Sequence, residues 1–454
     1  MRGFEYQQLQ QKKVEEFNKI DHDNELGIIL KDNLDFIINF PHKSKEAILK
    51  YQLDKVGKLV DYAYLNIPLY RQKYKTIGFK PGDIKTFEDF EKLPILYKDE
   101  LISGFPNDLV KNIEDFKFST RSSGSSGKFV TIAVDLDAIY TDTIQGMRQF
   151  IRQSNFEYTK NDVVLFIYTD PWWISSINGK YKQDFLPTTT APQNALEHIK
   201  KIKPLIINTY PTYLQKLCEL DVKISSYGVK YAIVHSEHST KEARHDMGKA
   251  LDIEVYDEFS SEELTRIALE CKYKNYHLEE DSCYIETIDT KTNQKVTNGV
   301  GLLVGTNLIN TATPIIRYHQ GDIVRIDSKK NCDCGHNGRI ISEIQGREMD
   351  CIQSNGKKIP ASAFMDMAYN WFLIKKIPIH GMQYQIVQTS ENQICVNLLK
   401  GLYELTEADF EIIKESFYSL VDRNITINIG YTDVFIQKSN KFKPVINLIG
   451  IDKL

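Results

Sequence analysis

The feature that most constrains the fold is an alternation through the middle of the chain, where short apolar runs trade places with amphipathic stretches. Asp162–Tyr168, Pro204–Tyr210, Tyr231–Ser236, Ile253–Phe259, Gly301–Thr306 and Asp322–Ile326 have the length and side-chain content of strands. Between them, Asp137–Gln153, Tyr213–Leu220 and Thr240–Leu251 read as helices. Such alternation predicts an α/β fold with helices packed on sheets. Earlier, Ile48, Leu49, Leu53, Val56, Leu59 and Val60 recur at helical spacing. Ser44 is placed to cap that helix, and Pro68 interrupts the pattern that follows.

At 454 residues the chain is too long for one compact core, so a large and a small domain are expected. The character changes after Gln345, where Gly346-Arg347-Glu348 leads into the loop Asn355–Lys358. We therefore expect a large N-terminal domain of layered sheets and helices over 1–345, and a small mobile α+β domain over 346–454. A formal net charge of -4 gives no reason to expect a nucleic-acid partner. No run approaches the roughly 18 apolar residues of a membrane span. Met1–Lys13 is polar, without the apolar segment of a signal peptide, and the seven cysteines are an odd number. Both point to reduced thiols in a cytoplasm.

The strongest single motif is Ser122-Ser123-Gly124-Ser125-Ser126-Gly127-Lys128, between strand-like stretches at Phe116–Thr120 and Val130–Val134. Small residues let backbone N–H groups approach phosphate oxygens, hydroxyls add donors, and Lys128 adds charge. A Walker A loop is excluded, because Ser122 stands where its first glycine belongs and Phe129 where its Ser/Thr belongs. Taken alone, the segment also fits a flexible linker.

Further segments in order along the chain resemble the adenylate-forming superfamily, in particular its phenylacetate–CoA ligase branch and the related CapK-type proteins. Ser122–Phe129 is similar to that branch's Ser-Ser-Gly-Thr-Thr-Gly-Lys-Pro loop, and Asn66–Arg71 with Lys92-Leu93-Pro94 to its entry segments. His235-Ser236-Glu237 occupies the place of Gly-Ala-Glu, which implies contact of Ser236 and Glu237 with adenine. Val255–Glu263 aligns with the aromatic-Gly-x-Thr-Glu motif. The resemblance puts Tyr256, Asp257 and Phe259 at the nucleotide, with Phe259 stacked near adenine, and Glu263 on Mg²⁺ bridging the phosphates of ATP. Arg317–Asp322 matches Tyr-Arg-Thr-Gly-Asp, so Asp322 would accept hydrogen bonds from the ribose hydroxyls. Arg347 would sit at the hinge near ribose and phosphate, and Lys441 in Ser439–Ile446 would be the swinging catalytic lysine. The implied activity is formation of an acyl-AMP from a small-molecule carboxylic acid, aryl or acyl, with release of pyrophosphate; a degenerate nucleotide-binding scaffold is the non-enzymatic alternative. Transfer to CoA would follow; an amine or a carrier protein stays open as the acceptor, as does assembly into a homodimer.

The chain departs from the pattern at Ser260 and Glu262, which replace the motif's Gly and Thr, at Met349, which replaces a hinge acid, and at Asn440, which replaces a glycine. Glu262 would add negative charge beside the triphosphate. Separately, Cys332-Asp333-Cys334-Gly335-His336 with Cys271, His277 and Cys283 suits structural Zn²⁺. The preferred quartet is Cys271, His277, Cys332 and Cys334, with Cys283 or His336 as substitutes. The segment Phe166–Trp173 falls where the family lines its acyl pocket, and Trp172 and Trp173 read equally as an aromatic platform or as core.

Overall fold

The computed structural model describes residues 12–112, 118–121, 129–171, 173–289, 291–297, 299–373, 375–377, 383–400, 404–436 and 442–449. The loop Ser122–Lys128, Trp172 and Lys441 lie outside them. Among the described residues, no helix is long and apolar enough to cross a membrane.

The N-terminal part is helical, as the pattern predicts. His22–Asn39 and Lys45–Asn66 are helices, and the Ser44 hydroxyl accepts from the Ala47 N–H at the start of the second. A two-stranded ribbon, β1 (Phe118–Arg121) and β2 (Thr131–Val134), flanks the Ser/Gly loop. The helix Leu136–Gln153 follows, capped by Asp135.

The body of the molecule is an 11-stranded sheet. Its strands are β3 (Val163–Tyr168), β4 (Lys182–Pro187), β5 (Ile206–Thr209), β6 (Tyr231–His235), β7 (Glu254–Ser261), β8 (Thr265–Glu270), β9 (Tyr276–Leu278), β10 (Cys283–Ile288), β11 (Gly299–Asn307), β12 (Tyr318–Asp327) and β13 (Ile340–Arg347). One half is parallel, in the order β4-β3-β5-β6-β7. The helices Pro192–Ile202, Pro211–Cys218 and Lys241–Leu251 supply its crossovers. The other half, β8-β9-β13-β12-β11-β10, is antiparallel. Each of the six strands read from sequence is present, displaced by a few residues at its ends. Five more (β4, β8, β9, β10 and β13) were not legible. Strand β10 is buried throughout and β4 is polar, so neither shows a two-residue alternation.

Beyond Arg347 the chain builds a second core. The hairpin β14 (Ile352–Ser354) and β15 (Lys357–Ile359) turns on Asn355 and Gly356, both at positive φ, as a tight two-residue turn demands. A four-stranded sheet follows, in the order β18 (Thr426–Thr432), β17 (Gln393–Leu399), β16 (Tyr384–Ser390), β19 (Val445–Asn447). It packs against the helices Ala361–Leu373 and Glu407–Phe417 around Trp371, Phe364 and Phe417. All buried members of this cluster lie between Ile352 and Val445. Polar bonds cross to the large body: the Tyr369 hydroxyl donates to Asp246 (2.9 Å) and the Phe442 N–H to Glu237 (3.2 Å).

Candidate active site

A cleft of about 400 Å³ opens where the second core meets the carboxyl ends of the parallel strands. Two local devices shape it. Ser236 follows the last residue of β6 at φ 71°, a left-handed conformation unusual for serine, which bends the chain out of the sheet toward the cleft. The β7·β8 register slips at Phe259/Ser260, re-aiming the residues that follow. Ser236, Glu237, Asp257, Phe259, Asp322 and Arg347, all singled out from sequence, line the cleft together with Phe442 and Lys443.

Strand pairing sets the centre of this site. Asp322 on β12 and Arg347 on β13 are direct cross-strand partners, so their side chains project from one row. Burial pushes the Asp322 carboxyl above its ordinary value, and the Arg347 guanidinium opposes that shift. Among the described residues, Asp322 Oδ2 is buried without a hydrogen-bond partner, as is the neighbouring Gln320 Oε1. A buried carboxylate oxygen left unpaired at a cleft wall is costly unless a ligand donates to it. Asp257 is held by the Tyr276 hydroxyl (2.6 Å), with the Arg244 guanidinium 3.8 Å away; burial nonetheless lifts its pKa to about 6.

Glu263 stands behind the cleft rather than on its lining. It is mostly buried, it accepts from the Tyr318 hydroxyl (3.3 Å), and its charge acts on Arg347. Tyr256 does not join the cleft residues: its ring is buried beneath the Lys274 ammonium (4.0 Å) and beside Tyr231. Glu262 accepts from the Thr120 hydroxyl (2.6 Å), so it anchors the strand that leads into the Ser/Gly loop. Glu237 receives the backbone N–H of Thr212 (3.1 Å) as well as that of Phe442. Asp350 holds Lys443 through both oxygens (2.8 and 2.9 Å), putting an ion pair one residue after the exposed Met349. Sequence reading gave no site role to Lys443 or Thr120; partners so distant in the chain leave no local signal. Trp173 packs into the core against Phe17, His22 and Tyr140.

Cys271 directly after β8, His277 on β9, and Cys332 and Cys334 in the connection from β12 to β13 bring their ligand atoms together, all within 4.8 Å of one another. Cys271 and Cys332 sulfurs are 3.7 Å apart, and Cys334 Sγ is 3.2 Å from His277 Nε2. Hydrogen bonds from Cys334 and His277 hold the Cys271 thiol far below its ordinary pKa, at about 3. The two substitutes stand outside this group. His336 stacks on His277 and accepts from the Gly338 N–H, while the Cys283 thiol points to the Arg266 carbonyl.

No family model matches the chain. A phenylacetate–coenzyme A ligase of Pseudomonas putida is 27% identical over 336 residues, covering 70% of this chain and 74% of that protein. Protein CapK of Staphylococcus aureus is 24% identical over 247 residues, 54% of this chain and 51% of its own length. Among solved structures, a 2-hydroxyisobutyryl-CoA ligase in its postadenylation state, in complex with 2-HIB-AMP, superposes with a TM-score of 0.73 at 18% identity, covering 90% of this chain and 92% of that one. The same ligase in its thioesterification state gives 0.59.

Proposed function

As a member of the adenylate-forming superfamily, similar to its phenylacetate–CoA ligase branch, the chain is, we propose, an AMP-forming carboxylate–CoA ligase. A carboxylate oxygen of the acid attacks the α-phosphorus of ATP, the bond from that phosphorus to the α,β-bridging oxygen breaks, and pyrophosphate leaves with that oxygen. The thiol of CoA then displaces AMP from the acyl carbon, giving the thioester. The observation that carries this reading is Asp322, which lines the cleft with Arg347 and whose buried Oδ2 has no hydrogen-bond partner among the described residues. Two ribose hydroxyls would satisfy it.

The remaining groups take roles around that anchor. Phe259 covers adenine, with Ser236 and Glu237 at its edge, and Asp257 lies behind them. Two anions must approach for the first step, so cationic charge has to neutralise the developing pentacovalent phosphate. Arg347 supplies part of it, and Lys441 and the loop Ser122–Lys128 supply the rest. Glu263, a hard oxygen donor beside Arg347, would hold the Mg²⁺ that screens the phosphates. Three of the quartet's four donors are soft sulfur, and its tight grouping fits a structural Zn²⁺ held by Cys271, His277, Cys332 and Cys334.

We divide the chain into a large domain over 1–345 and a small one over 346–454 that moves between the two half-reactions. The better superposition on the postadenylation state supports reading this arrangement as the adenylating one. Thiols without disulfides suit the cytoplasm. Acid-dependent exchange of pyrophosphate into ATP tests the reading. It is expected with wild-type protein and lost in Lys441→Ala; exchange that survives the substitution refutes the lysine's role.

A further inference from the structure

Strand β12 leaves its ladder where it borders the cleft. His319 pairs with Val304 and Ile323 with Leu302, so Gln320, Gly321 and Asp322 together stand opposite the single residue Leu303. Gly321 permits this bulge at φ 91°, a left-handed value that a residue with a Cβ adopts only under strain. The chain just before it is tied down: the His319 N–H donates to the Leu96 carbonyl (2.9 Å), and the Leu96 N–H to the Arg317 carbonyl (2.9 Å). Gln320 and Asp322, on either side of the glycine, both line the cleft.

Asp322 has a role in the adenylation reading, and Gln320 has none. Among the described residues Gln320 Oε1 is buried without a partner, and no other group bonds to the amide. An amide carries an acceptor at one end and two donors at the other, and leaving it unpaired in a buried wall is costly. No described protein group fixes which end faces the cleft, so a bound ligand sets it. Gln320 stands where the matched Tyr-Arg-Thr-Gly-Asp motif has threonine, and its longer side chain carries the donor further from the backbone.

Its two neighbours along the strand say what it meets. On one side Asp322 reaches ribose. On the other, the Tyr318 hydroxyl donates to Glu263 (3.3 Å), the carboxylate assigned to the Mg²⁺ on the phosphates. The group of a nucleotide that lies between the ribose hydroxyls and the β- and γ-phosphates is the α-phosphate, where the acid attacks. Asp322 and Glu263 are both acidic, so a third acid between them would repel that phosphate, whereas a neutral amide N–H attracts it. A hydrogen bond to a non-bridging oxygen gains strength as negative charge builds on the pentacovalent phosphorus.

We propose that Gln320 is a catalytic residue that donates a hydrogen bond from Nε2 to a non-bridging oxygen of the α-phosphate. The inference rests on the adenylation reading, which orders the nucleotide along β12. Its test compares two ligands that differ only in that phosphate. Adenosine and AMP are titrated by calorimetry into the full-length protein, and the ratio of their affinities is followed. Gln320→Glu keeps the length of the side chain and replaces the donor with a charge. AMP should then bind at least about tenfold more weakly, while adenosine stays within about threefold of wild type. Gln320→Met, of similar length without a polar end, should also lower the AMP-to-adenosine ratio about tenfold. A residue that only supports the bulge would weaken both ligands alike. If wild type binds AMP and the ratio is unmoved in both variants, the assignment of Gln320 is overturned and the adenylation reading stands. Wild-type protein that binds neither adenosine nor AMP contradicts the adenylation reading itself, and this proposal falls with it.

Discussion

Replacing Asp322 with asparagine isolates the group on which the nucleotide assignment rests. The carboxylate is buried, its Oδ2 has no partner among the described residues, and burial already strains its charge. Asparagine keeps the shape and one acceptor oxygen, so one charge-assisted hydrogen bond to ribose is lost while the other weakens. A hydrogen bond to a charged acceptor is worth about 1.5–3 kcal/mol, which converts to a loss of ATP affinity of roughly 10- to 150-fold. The fold should hardly notice. Arg347 keeps Glu263 and Asp350 as neighbours, and one desolvated charge is removed. Calorimetric titration with ATP, 2′-deoxy-ATP and 3′-deoxy-ATP completes a thermodynamic cycle. Wild type should discriminate against at least one deoxy analogue, and Asp322→Asn should lose that discrimination with its thermal midpoint within a few degrees of wild type. If the variant binds ATP within about threefold of wild type, or still discriminates among the sugars, the assignment is wrong.

Other substitutions probe the remaining groups. Glu263→Gln should lower acid-dependent pyrophosphate exchange by about 100-fold and flatten its dependence on magnesium concentration; an unchanged magnesium titration contradicts the role of Glu263. Purified protein should carry about one zinc per chain by elemental analysis, and Cys334→Ala should release it and lower the unfolding temperature. Metal-free wild-type protein of equal stability removes the site. Asp257 titrates near 6 in the folded chain, above an ordinary aspartate, so its stabilising contribution is present at low pH and lost as pH rises through 6. Asp257→Asn, which can still accept from Tyr276, should therefore gain stability relative to wild type between pH 4.5 and 7.5, by roughly 1–3 kcal/mol in denaturant melts. A difference that does not vary with pH refutes the shift.

Much of this was legible in the residues because the underlying signals are local. Helix periodicity and the Ser44 cap give the N-terminal helices, and apolar runs between turn signals give the strands on either side of the crossovers. The grouping of Cys271, His277, Cys332 and Cys334 followed from donor chemistry and spacing, supported by the resemblance to relatives on the same branch. What stayed hidden depends on pairing. Gln320 shares a cleft wall with Asp322 only because β12 bulges opposite Leu303. Glu262 read from sequence as a charge beside the triphosphate, and its contact with Thr120 on β1, 142 residues earlier in the chain, left no local signal. Met349 read as a missing hinge acid, and the neighbouring Asp350 pairs with Lys443, nearly a hundred residues away in the chain but adjacent in space.

The central claim concerns which bond of ATP breaks. Incubation of wild-type protein with ATP, magnesium and a panel of carboxylic acids, with products resolved by anion exchange and mass spectrometry, answers it directly. The account predicts AMP and pyrophosphate in equal amounts, formed only when an accepted acid is present, and an acyl-CoA once CoA is added. ADP and phosphate as products, or AMP formed without any dependence on the acid, would contradict it.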